Sequence, residues 1–308
     1  MNVVECRNVT KRFDEFIAVK ELSFEVKKGS IFGLLGPNGA GKTTTLRMIV
    51  NIYAPDSGEI TVLGEPASPQ VQAHIGYLPE ERGLYKKMRV GEQLLLFARL
   101  RGVERSEAVR RIDRWLDRLE LTEWRNKNTD ELSKGMQQKV QFIATILAEP
   151  SLLILDEPFS GLDPVSVNLL KSVILELHQQ GKTIIFSSHQ MEQVERMCDD
   201  ICLVDHASKV LSGSLREIKR QFSRNAILLD YEGADSFLTD SLVKRVTRQG
   251  DYVEVMLADG ANPQDLLRQA ITTGVSVNRF ERIEASLNEI FIESVTKKNG
   301  KNNNTNSA

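Results

Sequence analysis

One octapeptide constrains this 308-residue chain more than any other feature: Gly36-Pro37-Asn38-Gly39-Ala40-Gly41-Lys42-Thr43 fills the pattern G-x-x-x-x-G-K-[ST]. The apolar run Ile31–Leu35 before it reads as a short buried strand. From Lys42 to about Asn51 the chain reads as a helix, ended by Pro55-Asp56-Ser57-Gly58. Glycines let the backbone fold so tightly that successive N–H groups point at phosphate oxygens, and the helix N-terminus adds the positive end of its dipole. In that geometry Lys42 bridges β- and γ-phosphates, Thr43 can ligate Mg²⁺, and Thr44 follows in the first helical turn. A merely structural glycine turn is the weaker reading, because strand, loop and helix stand in the required order.

Composition sets the outer bounds. With 41% hydrophobic and 27% charged residues, the chain is too apolar for wholesale disorder. Its length predicts two domains. Apolar stretches such as Leu94–Ala98 fall far short of the roughly 18 residues that span a bilayer. The N-terminus lacks a signal peptide's basic start and apolar run, so a cytosolic chain is expected. Cys6, Cys198 and Cys202 make no disulfide framework and read as small buried apolar residues. The net charge of −2 argues against a general nucleic-acid binder. It also hides an uneven distribution: Tyr85–Asn128 holds twelve Lys and Arg against seven Asp and Glu. A solvated helical face and a docking surface are both open readings of that segment.

Strands alternate with helices through the first two-thirds of the chain, which predicts a largely parallel sheet wrapped by helices. Val3–Cys6 and Leu22–Val26 open it as strands. Helical spacing prevails from about Val90 to Leu121 and from Ser133 to about Glu149. Leu152–Leu155 and Thr183–Ser187 read as core strands. Between them Asp163 and Pro164 open a helix that Gly181 closes. After about Lys219 the texture changes to strand (Ala226–Tyr231), short helix (Ser236–Leu242), hairpin (Val243–Arg248 and Tyr252–Leu257), helix from Asn262-Pro263, and strand (Val275–Ile283). That order suggests a small ferredoxin-like α+β module. Ser286 and Glu289 form a capping box before a last amphipathic helix. The expected domains are 1–219, with a helical subdomain at about 85–149, then 220–296, then a disordered Asn-rich tail at 297–308.

The strand Leu152–Leu155 ends in Asp156 and Glu157, which puts two carboxylates at the carboxyl edge of a parallel sheet, where such folds bind ligands. Asp156 would hold Mg²⁺ through water, and Glu157 would polarise an attacking water.

Further segments resemble the ATPase domains of ABC transporters, over about Val3–Gly213. Leu132-Ser133-Lys134-Gly135-Met136-Gln137 resembles the family's LSGGQ signature, with Lys134 and Met136 as departures. Ser160-Gly161-Leu162-Asp163 is similar to its D-loop, His189 to its H-loop histidine, and Phe13 to the aromatic residue that stacks on adenine. In Pro79-Glu80-Glu81-Arg82-Gly83, Glu80 stands where the Q-loop glutamine is usual; the segment resembles a subgroup of bacterial export ATPases that includes sodium-efflux subunits. The resemblance implies a P-loop NTPase fold of the α/β class and hydrolysis of ATP with Mg²⁺ held by Thr43, Glu80 and Asp156. It implies Glu157 and His189 as catalytic groups. It also implies that Ser133–Gln137 and Asp163 contact ATP held by a second ATPase subunit, a homodimer partner or a similar chain. An integral membrane permease subunit would hold the pair at the cytoplasmic face of the membrane, peripherally, and carry the exported substrate. The rival from another class is a soluble ABC ATPase acting on ribosomes or DNA. Tandem cassettes mark the former and coiled-coil or zinc insertions the latter; this sequence carries neither.

Overall fold

The structure is a computed structural model that describes residues 1–81, 83–222, 225–250 and 252–305. It divides into two compact units, Met1–Leu215 with the last stretch from Ser294, and Arg216–Glu293.

In the first unit, β1 (Asn2–Phe13) and β2 (Phe16–Lys27) form a long hairpin. β3 (Ile31–Leu35) and α1 (Lys42–Ile49) follow, then β4 (Ser57–Val62), β5 (Glu65–Pro66), α2 (Pro69–Gln72) and β6 (Ile75–Leu78). Helices α3 (Val90–Leu100), α4 (Arg105–Arg118) and α5 (Lys134–Ile146) make the helical subdomain. β7 (Leu152–Asp156), α6 (Pro164–Gln179), β8 (Thr183–Ser188), α7 (Met191–Glu195), β9 (Asp200–Asp205) and β10 (Ser208–Ser214) complete the unit. One antiparallel sheet has the order β2-β1-β4-β5; a second runs β10-β9-β3-β8-β7-β6. In the second sheet every pair except β9–β10 is parallel.

β3, β7 and β8 are buried along their whole length, as continuous apolar runs covered on both faces must be. Val4, Cys6, Phe24, Phe32, Leu46 and Cys202 pack in one core with Ile154 and Ile185. Burial pushes the Cys202 thiol up to about 12, so it behaves as the small apolar residue the sequence predicts. In the helical subdomain the cations are largely spent within the chain. Arg110 and Arg111 both pair with Glu107, and Arg111 also donates to Leu147 O at 2.8 Å. That favours a structural over a docking role for these two arginines.

In the second unit, β11 (Ala226–Glu232), β12 (Val243–Gln249), β13 (Tyr252–Leu257) and β14 (Ser276–Arg282) form an antiparallel sheet of order β12-β13-β11-β14, backed by α9 (Pro263–Thr272). The split pairing, with β13 between β11 and β12, is that of a ferredoxin-like module. The helix expected at Ser236–Leu242 is instead a single 3₁₀ turn at Asp235–Phe237. The backbone closes there in separate turns, Leu238 N donating to Asp235 O and Leu242 N to Thr239 O, in a stretch rich in the poor helix formers Asp, Ser and Thr. Asn262 and the Ser286–Glu289 box cap their helices as expected. α8 (Leu215–Phe222) and α10 (Leu287–Thr305) complete the chain. α10 runs through Thr305, into the tail expected to be disordered from Lys297, because a nucleated helix gains one hydrogen bond per added residue. Residues 306–308, Asp251 of the expected hairpin turn and Arg82 lie outside the described residues.

Candidate active site

The register of the parallel sheet gathers the predicted groups. Leu35 pairs with Ser188, Asp156 with Ser187, and Leu78 with Leu155. The next residues, Gly36, His189, Glu157 and Pro79, therefore leave the same carboxyl edge. Between β3 and α1 the loop turns on glycines that no other residue replaces. Gly36 has φ +150°, and a Cβ there would sit 2.1 Å from Val204 O; Gly41, at φ +102°, would meet Ala18 O at 2.3 Å. Ala40 is buried, with its N–H bonded to Pro37 O at 3.2 Å. Lys42 lies folded on its own loop, donating to Gly36 O at 2.9 Å and Pro37 O at 3.1 Å. A cleft of about 400 Å³ opens here, lined by Asn38, Gly39, Gly41, Lys42, Thr43, Thr44, Glu80 and Glu157, together with Phe16 and Ala18 of the hairpin.

The two carboxylates differ in environment. Ser187 Oγ donates to Asp156 Oδ1 at 2.5 Å and accepts from the Glu157 N–H at 3.0 Å, so one buried serine holds both residues. It was legible only as a polar residue at a strand end. Asp156 Oδ2 is buried with no hydrogen-bond partner. Burial, reinforced by the charge of Glu157, raises the Asp156 carboxyl above its ordinary value, while the Ser187 and Thr43 hydroxyls pull it down. Glu157 occupies the left-handed region at φ +48°, a strained conformation for a non-glycine residue. Its Oε1 lies 3.0 Å from His189 Nδ1 and 3.6 Å from Lys42 Nζ.

Phe13 sits elsewhere, and the residues expected to contact another subunit's ATP lie outside this cleft. Phe13 pairs across the hairpin with Phe16, so both rings share one face, but Phe16 lines the cleft and Phe13 packs edge-on against Tyr53. Sequence reasoning missed Phe16; the two-residue turn Asp14-Glu15 was the available signal. No residue of Ser133–Gln137 lines the cleft. Ser133 caps α5, its hydroxyl accepting from Met136 N at 3.3 Å, and Lys134 is exposed beside it. Gln137 donates to Thr129 O and Leu132 O, and Gly135 leaves 3.3 Å between its Cβ position and Leu162 of the Ser160–Asp163 loop. Asp163 caps α6, accepting from Val165 N and Ser166 N at 3.0 Å.

A family model described as ABC transporter matches residues 19–160. An uncharacterised ABC transporter ATP-binding protein of Bacillus subtilis, YhaQ, is 44% identical over 289 residues, covering 94% of this chain and 97% of that protein. The chain belongs to the ABC transporter ATP-binding proteins. A second family model, the C-terminal domain of DrrA1-3-like ATP-binding proteins, matches residues 213–295 of this ABC subunit. The Nod factor export ATP-binding protein I of Cupriavidus metallidurans is 36% identical over 294 residues, covering 94% of this chain and 96% of its own length. A solved ATP-binding subunit of an ABC transporter superposes with a TM-score of 0.67 at 31% identity, over 71% of this chain and 93% of that one. The protein is thus an ABC ATPase, the ATP-binding subunit of a transporter, with the P-loop NTPase fold.

Proposed function

We propose that this ABC ATPase drives export through a separate membrane subunit, hydrolysing ATP between two cassettes. The observation that carries the reading is the division of the chemistry. Lys42 and Glu157 line one cleft, His189 lies 3.0 Å from Glu157 and Asp156 shares Ser187 with it, while the Ser133 helix start lines no part of that cleft and bonds to none of these groups. An exposed serine cap, the Gly135 N–H and a helix dipole make a second anion site suited to phosphate presented by another chain. The Phe16 ring offers a stacking wall for the base.

Mg²⁺ fits the unpartnered Asp156 Oδ2 and the neighbouring Thr43 hydroxyl, with Glu80 lining the same cleft as Thr43, and would neutralise phosphate charge there. The chain's own groups do the rest. Lys42 leaves its loop carbonyls for the phosphates. Glu157 accepts a hydrogen bond from the attacking water and polarises it, and His189, within reach of Glu157, contacts the γ-phosphate.

Among the described residues no helix is long and apolar enough to cross a membrane. The proposed partner would hold the chain at the cytoplasmic face. A groove of about 280 Å³ lined by Pro79, Leu84, Phe97 and Leu100 adjoins the Glu80 loop and suits an inserted apolar element of that partner. The relative named for Nod factor export supports the export direction.

The decisive variant is Glu157→Gln. We expect ATP affinity within about twofold of wild type, an ATP-dependent dimer on size-exclusion chromatography, and turnover lower by roughly 10²–10⁴-fold. Near-normal turnover removes Glu157 from its role; a monomer at saturating ATP sinks the sandwich.

A further inference from the structure

Glu80 reaches the cleft from the segment that follows β6, and that segment is held from the helical subdomain. Gln141, on α5 and 6% exposed, donates its side-chain amide to Glu81 O at 3.1 Å and to Pro79 O at 3.4 Å, the carbonyls on either side of Glu80. Further along, Gln93 of α3, wholly buried, accepts from Tyr85 N at 2.6 Å. The other half of each amide is spent on nothing: Gln141 Oε1 and Gln93 Nε2 are buried without a hydrogen-bond partner. An apolar side chain at 141 would fill the space and leave no oxygen orphaned. What the amide adds is a pair of bonds to the Glu80 segment.

The same helix carries the signature. Ser133 caps α5 eight residues before Gln141, and an α-helix spans that separation as a stiff rod about 12 Å long. One end of the rod presents Ser133 and Gly135 to solvent; its middle grips the loop of Glu80. We infer that Gln141 is a positioning residue that makes the two ATP clefts of the dimer interdependent, by tying Glu80 in the chain's own cleft to the helix that contacts the partner's nucleotide. The inference rests on the sandwich reading above. Phosphate bound at the start of α5 displaces the helix, the Gln141 amide carries the displacement to Pro79 and Glu81, and Glu80 shifts against the nucleotide in the chain's own cleft. Coupling thus passes through one polypeptide, by a contiguous contact that a single substitution removes.

The test compares steady-state ATP hydrolysis against ATP concentration for the full-length protein and for Gln141→Met and Gln141→Glu. Methionine keeps length and burial without a donor; glutamate keeps the shape and opposes two carbonyls with an acceptor. We expect cooperative hydrolysis in the wild type and, in both variants, a Hill coefficient lower than the wild type's, with maximal turnover lower by roughly 3–30-fold. ATP affinity, measured with a fluorescent analogue in single cassettes kept apart by Gly135→Asp, should stay within about twofold. A merely structural glutamine would lower the melting temperature and leave the Hill coefficient alone. Folded variants with wild-type cooperativity overturn the inference. So does a non-cooperative wild type whose Glu157→Gln form still dimerises with ATP, and that outcome spares the sandwich. Failure of Glu157→Gln to dimerise overturns the sandwich itself, and the coupling with it.

Discussion

The Lys42 cleft and the start of the Ser133 helix are built in opposite ways. Around Lys42, Asp156 and Glu157 nearly everything is buried and already bonded: lysine to loop carbonyls, serine to both acids, histidine to Glu157. Around Ser133 the donors are fixed by a helix cap but face solvent. The first region is organised before ligand arrives. The second is exposed, and on the two-cassette reading proposed above its target belongs to another chain. On that reading binding and turnover should separate, because the first needs one chain and the second needs two.

Lys42→Ala would break the buried region. The phosphates lose their counter-charge, and ATP affinity should fall by roughly 10²-fold in isothermal titration, an ion pair in a partly buried site being worth about 3 kcal/mol. Retained affinity would show that the folded-down lysine never turns to the nucleotide. Gly135→Asp strikes the other region and leaves the first intact. An acid in the first turn suits the helix dipole, and the added Cβ meets only the tip of Leu162 at 3.3 Å, so the fold should hold. Yet the new carboxylate repels phosphate. We expect ATP affinity within about twofold and turnover lower by roughly 10²-fold, a loss comparable to that of one charge-stabilising donor in an active site. Loss of affinity in this variant would merge the two regions into one site.

How much of this contrast was written in the sequence depends on the range of the interaction. Gly36–Thr43 was legible because a loop needing positive φ must be spelled in glycine at fixed spacing. Asp163 and the Ser286–Glu289 box were legible because a cap bonds residues two or three positions away. Ser187 was visible only as a strand-end serine, since its bonds to Asp156 and Glu157 depend on the register of β7 against β8. Gln141 carried no signal at all: its partners lie 60 and 62 residues away. The expected helix at Ser236–Leu242 failed for a local reason: poor helix formers leave the backbone closing in separate turns, Leu238 N to Asp235 O and Leu242 N to Thr239 O.

Phe13 and Phe16 sharpen the comparison at the base-binding end. They sit opposite each other on one hairpin, 39% and 63% exposed, but only Phe16 borders the cleft. Phe16→Ala should weaken ATP binding by roughly 3–10-fold, the stacking contribution of one aromatic ring. Phe13→Ala should cost less than twofold, acting only through the Tyr53 contact that supports the hairpin. The reverse order in fluorescence titrations would return the stacking role to the residue that the family resemblance picks out.

The smallest effect tests whether the buried region stores a cost. Asp156 is fully buried, one oxygen is unpartnered, and burial raises its carboxyl above the ordinary value. A carboxyl whose folded pKa lies above its unfolded value favours the folded state in its protonated form. That contribution is complete below about pH 4, the unfolded value, and is lost as pH rises through the folded one. Ionising Asp156 in the ligand-free protein therefore costs stability, with one of its oxygens unpartnered. Asp156→Asn keeps an oxygen for Ser187 and removes the charge. We expect the variant to be more stable than wild type at pH 7 by on the order of 1 kcal/mol in urea unfolding, with the advantage shrinking as pH falls toward 4. Added Mg²⁺ and nucleotide should stabilise the wild type more than the variant. Hydrolysis should be lost in the variant, since on the proposed reading the residue that costs stability is the one that would hold Mg²⁺. An Asn variant less stable than wild type at pH 7 would mean that Asp156 is already compensated, and that the buried region is at rest without its ligand.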